Sequence, residues 1–237
     1  MTRRSLVALL SVGILSMGAL VGCATGAASS PTSEAAPDAT ASAAPSEVRA
    51  GWVDAGRGIA VVTLGSSSCV PVATEPVHAG PTLTVDLVET SDGPGTRDLA
   101  PRATYVGLPA GVDPSKELEV VVTGAAAGST SLAGLAEAPA PADEFLPSAG
   151  WVGDGQVAIL TWGSSSCRPQ VEAVTSAGEG ATVTFVEPPA DQVCTADMAP
   201  RLSLADLTGV VGDEPVELTL TGGNVASDGP IAVLGAR

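Results

Sequence analysis

Two short blocks place hydroxyls beside a thiol: Gly65-Ser66-Ser67-Ser68-Cys69 and, unchanged, Gly163-Ser164-Ser165-Ser166-Cys167. A serine held in a tight turn can act as a nucleophile when a neighbouring base takes its proton. The chain has one histidine, His78, and only the first block has it nearby in sequence. Both copies fit a turn whose hydroxyls bond nearby backbone groups, so no catalytic residue is assigned.

A second pair of blocks reads Thr96-Arg97-Asp98-Leu99-Ala100-Pro101-Arg102 and Thr195-Ala196-Asp197-Met198-Ala199-Pro200-Arg201. A calcium site needs six or more oxygen ligands, and no Asp-x-Asp-x-Asp-Gly spacing accompanies these aspartates. They predict an Asx-type turn before a strand, with Arg102 and Arg201 pairing with the carboxylates across it. Cysteine and histidine are too few and wrongly spaced for zinc, and phosphate loops and dinucleotide fingerprints are missing. No metal and no cofactor is expected. Trp52 and Trp151 begin their copies as core residues. Trp162 answers Leu64, an exchange that points to an apolar core or interface position.

The four cysteines separate by context. The chain opens with Arg3 and Arg4, continues through an uncharged apolar stretch from Leu6 to Val21, and reaches Leu20-Val21-Gly22-Cys23. That order is a basic region, an apolar region and a small-residue cleavage site. Its ending resembles the bacterial lipobox, which implies cleavage after Gly22 and a diacylglyceryl group on Cys23, so that the chain is held at the outer face of the cell membrane. More than one acyl chain is what makes such anchoring stable. Residues 23–47 are an Ala/Ser/Pro-rich spacer with almost nothing apolar to bury.

An exported location permits disulfides, and the duplication pairs Cys167 with Cys194 across one strand. The position answering Cys194 in the first copy is Gly95, which leaves Cys69 over. It reads either as an inert thiol or as a partner for pairing between copies or chains.

Without residues 1–22 the chain keeps eight basic residues against 26 acidic ones, a net charge of about −18. Nucleic acid and anionic lipid headgroups are repelled by such a chain. Lys116 is the single lysine and Tyr105 the single tyrosine, so the core is built mainly from Val, Leu, Ala and Ile.

The duplication runs the length of the remaining chain. Gly51-Trp52-Val53 recurs as Gly150-Trp151-Val152, and the matches continue in one order with gaps only between blocks. Leu83, Val85 and Leu87 alternate with polar residues, as do Val216, Leu218 and Leu220, a period-two pattern that predicts half-buried strands. Residues 59–64 and 158–162 are apolar runs suited to central strands. The expected fold is all-β: two tandem small sandwiches or barrels, Ig-like in size, at residues 48–135 and 149–237, joined by a stiff linker over 136–148.

With the anchor, the spacer and both paired blocks in view, the chain resembles lipoproteins of high-GC Gram-positive, actinobacterial organisms that carry tandem Gly-Ser-Ser-Ser-Cys and Thr-x-Asp-x-Ala-Pro-Arg repeats. The resemblance implies a location and no substrate. A non-catalytic surface protein binding an envelope protein or glycan, or serving envelope structure, is the expected function. A hydrolase using a serine of the Gly-Ser-Ser-Ser-Cys turn, or a solute-binding lipoprotein, is the alternative.

Overall fold

The computed structural model describes residues 47–237, apart from 91–94, 138, 141, 154, 179, 213, 214 and 226. The leader, Cys23 and all but the last residue of the spacer therefore lie outside the described residues.

Short runs of Val, Leu, Ile and Thr broken by Gly and Pro give strands, as β propensity favours. In the first copy these are β1 (Arg49–Val53), β2 (Gly58–Gly65), β3 (Val72–Ala73), β4 (Val77–Ala79), β5 (Thr82–Val88), β6 (Ala100–Gly107), β7 (Leu118–Gly124) and β8 (Gly128–Leu132). In the second they are β9 (Ser148–Gly153), β10 (Gln156–Gly163), β11 (Val171–Ala177), β12 (Gly180–Phe185), β13 (Ala199–Asp206), β14 (Glu217–Gly222) and β15 (Ile231–Leu234). The sole helical turn among the described residues is a 3-10 turn at Asp54–Gly56.

The two copies pair alike. One sheet runs β1-β2-β6 and another β3-β5-β7-β8, with β4 also on β5. In the second copy the equivalent strands join into one seven-stranded sheet, β11-β12-β14-β15-β9-β10-β13. The apolar runs are central, since β2 lies between β1 and β6 and β10 between β9 and β13. On β5, Leu83, Val85 and Leu87 are buried while Thr84, Asp86 and Val88 face out, as the alternation predicted.

The all-β class is as expected, spread over several sheets. The finer architecture differs from two closed sandwiches or barrels. The seven-stranded sheet is unbroken, and the pairs β5/β7, β12/β14 and β15/β9 are parallel. A parallel partner is reached only by a crossover of the chain, through β6 for β5/β7 and through β13 for β12/β14, while β15 returns to the first strand of its copy. These steps give a solenoid-like path.

The described residues form three apolar clusters. One gathers Trp52, Ile59, Val61, Leu83 and Val85 of the first copy, and a second gathers Trp151, Ile159, Val183, Phe185 and Leu218 of the second. The third belongs to both, with Val53, Ala60 and Val62 against Val152, Ala158 and Leu160. Alternate residues of β2 and β10 thus face their own cluster on one side and the other copy on the other.

The meeting depends on glycine. A Cβ on Gly51 would lie 2.1 Å from the carbonyl oxygen of Trp151, and one on Gly150 would lie 1.8 Å from that of Trp52. The repeated Gly-Trp-Val is therefore a crossing point at which each glycine admits the other copy's backbone.

Candidate functional site

The sequence treated the Gly-Ser-Ser-Ser-Cys and Thr-x-Asp-x-Ala-Pro-Arg blocks as separate turns, and the fold brings them together as one cluster per copy. In the first copy, β2 and β6 pair antiparallel with Gly65 opposite Ala100, so the residues beyond the ladder meet. The chain turns tightly at the serines, the Cys69 N–H donating to the Ser66 carbonyl at 3.2 Å. Asp98 Oδ1 accepts the Ser67 N–H at 3.1 Å, Ser68 Oγ accepts the Thr96 N–H at 3.1 Å, and Thr96 Oγ1 donates to Asp98.

The second copy repeats the pattern. Asp197 accepts from the Ser165 N–H at 3.1 Å and from the Thr195 hydroxyl, and Ser166 Oγ accepts the Thr195 N–H at 3.0 Å. These donors hold both carboxyls at about 2, below the usual carboxylate value of 3.8. For Asp98 the bond from Ser67 leads, then that from Thr96; for Asp197 Thr195 leads, then Ser165.

The expected pairing of arginine with aspartate is corrected. Arg102 and Arg201 bond main-chain carbonyls, Arg102 Nη1 donating to the Cys69 carbonyl and Arg201 Nη1 to the Cys167 carbonyl at 3.0 Å. Each guanidinium lies over the glycine that opens the serine block. A Cβ on Gly65 would meet Arg102 Cζ at 2.4 Å, and one on Gly163 would meet Arg201 Cζ at 2.9 Å. Arginine and glycine are thus two parts of one device.

His78 stands apart from the serines. It sits on β4 opposite Leu83 and lines a separate cleft with Pro81, Val112 and Lys116. The serine hydroxyls face one another and Thr96, with Ser66 Oγ 2.8 Å from Thr96 Oγ1. Among the described residues, no group of three or more His, Cys, Asp or Glu side chains could hold a metal ion.

Cys167 and Cys194 are bonded, with sulfurs 2.01 Å apart, and Cys69 is free and partly buried. A Cβ built on Gly95 would lie 3.0 Å from the Cys69 sulfur, so the first copy keeps the space of the missing bridge. Trp162 is an interface residue, its ring edge-on to Tyr105 at 5.8 Å and to Phe145 at 5.2 Å.

Beside the disulfide lies a cleft of about 440 Å³, a feature the sequence did not signal. Arg168, Arg201, Gln170 and Gln192 line it with polar groups, Gln192 Nε2 donating to Cys167 Sγ at 3.2 Å, while Val186 and Pro188 give an apolar wall and Glu187 a carboxylate. The two copies differ here. Arg102 pairs with Glu89 at 3.2 Å, whereas the equivalent Glu187 accepts the Gly223 N–H at 3.2 Å. Arg201 has no carboxylate partner among the described residues, and burial alone lowers its pKa.

No family model, curated protein or solved structure matches the chain.

Proposed function

We propose that the protein is a non-catalytic lipoprotein of the bacterial cell surface, held by lipid on Cys23 and displaying its two repeats for binding an envelope partner. The observation that carries the non-catalytic part is the use of the serine blocks as scaffold. Their turns, threonines and aspartates bond among themselves in both copies, with Asp98 and Asp197 accepting from the turn N–H groups, and the one histidine lines another cleft. A nucleophilic serine needs a base within hydrogen-bond reach. The anchor part is carried by Leu20-Val21-Gly22-Cys23 behind a basic and apolar leader.

The reading of each copy as a unit of Ig-like size belongs to the same proposal and is supported by the separate cluster in each copy.

Two measurements test it. Mass spectrometry of protein from its native host should find Cys23 as an acylated N-terminal residue; an unmodified peptide running through Gly22 into Cys23 would overturn the anchor. A fluorophosphonate probe should leave Ser66, Ser67, Ser68 and their counterparts Ser164, Ser165 and Ser166 unlabelled. Stoichiometric labelling at any of them would replace the binding reading with the hydrolase.

A further inference from the structure

The binding reading leaves open what is bound, and the difference between the copies bears on it. The described part of the chain is strongly acidic, yet the cleft beside the Cys167–Cys194 bridge is lined by two guanidinium groups. Arg201 is fixed there by its own copy, Nη1 on the Cys167 carbonyl at 3.0 Å and Nη2 on the Trp162 carbonyl at 2.9 Å. Both partners are neutral, and no carboxylate among the described residues pairs with it, Glu187 of the same cleft included. Arg102 is a control within the same chain, because it is 4% exposed and paired with Glu89. Three changes turn that closed arrangement into the open one. Val70 becomes Arg168, the carboxylate equivalent to Glu89 turns to the Gly223 N–H, and the bridge fixes the wall that carries Gln192.

A partly buried guanidinium without a counter-ion favours a planar anion, which it binds with charge-assisted hydrogen bonds. The surrounding groups narrow the class. Gln170 suits an amide, and Val186 and Pro188 suit a short apolar body.

We propose that this cleft binds the carboxylate of a peptide-like acid, with Arg168 and Arg201 on the carboxylate, whether it is a free acyl amino acid or the end of a polypeptide. This rests on the binding reading above, and its test is independent of serine labelling and of Cys23.

Full-chain protein in mild detergent is titrated with N-acetylalanine and followed by amide NMR. Saturable shifts are expected at residues 164–170, 186–192 and 223–224, and its uncharged methylamide should produce none. Arg168→Gln should weaken binding about five-fold, as expected for losing one exposed charge-assisted contact. Arg201→Gln should abolish saturation. If that variant misfolds, Glu187→Gln decides, because it keeps an acceptor for Gly223 while removing the competing charge and should tighten binding.

A tri-alanine acid tighter than N-acetylalanine assigns the site to a chain end, and equal affinity assigns it to a free acid. Equal binding of the methylamide, indifference to Arg168→Gln and Glu187→Gln, or no saturable shift at these residues up to about 10 mM would overturn the proposal.

Discussion

Asp98 and Asp197 join the two repeated blocks of their copies, and their depressed pKa gives them a definite signature in acid. Hydrogen bonds favour the charged form, so each carboxylate contributes stability above its ordinary value of 3.8. That contribution is lost as the pH falls through about 2. Thermal unfolding followed from pH 6 downward should show a plateau above about pH 4 and a decline below it. In the Asp98→Asn, Asp197→Asn double variant this acid decline should be shallower. Gly95 carries a second prediction at this scale. Gly95→Cys should pair with Cys69 and stabilise the first copy by about 3 kcal/mol on the loop-entropy model, provided Ser66 Oγ, 2.8 Å from the new Cβ, moves aside. Non-reducing peptide mapping reads the bond, and a persistently free Cys69 would show that the space alone is insufficient.

At the scale of elements, Gly51 and Gly150 set how closely β1 and β9 cross. Gly150→Ala forces a methyl into the Trp52 carbonyl, and should cost about 3 kcal/mol, the upper end of overpacking penalties. Chemical denaturation should show it as a lowered midpoint, while Gly212→Ala, with nothing within 4 Å of its Cβ and no left-handed backbone, is the control for a change in open space. Strands, central runs and turns were legible because alternation and Gly/Pro punctuation are local. The partner of each aspartate was not, because only the register of β2 on β6 brings Ser67 to Asp98. Arg102, four residues along, was the nearer choice in sequence and the wrong one in space. The cleft was invisible for a similar reason, since Glu187 differs from Glu89 in what it touches and not in what it is.

Across the whole molecule, the described strands form one compact unit, because the third apolar cluster takes residues from both copies. Residues 149–237 expressed alone would expose Val152, Ala158 and Leu160, which are at most 1% exposed in the intact chain. Gel filtration should show self-association of that fragment, and a well-behaved monomer would mean that the shared cluster matters little. The sequence read the linker as a stiff spacer between copies. Arg57 holds its later part, donating to the Ala142 carbonyl at 2.9 Å and the Asp143 carbonyl at 3.2 Å.

The reciprocal crossing at Gly51 and Gly150 has the form of an isologous contact, in which each side offers the other what it receives. Two separate copies of one repeat could meet in this way only as identical subunits, so any change would appear on both sides at once. Joined in a single chain, they are released from that symmetry while their mutual concentration stays high. One copy can keep its arginine closed against Glu89, and the other is free to open its own.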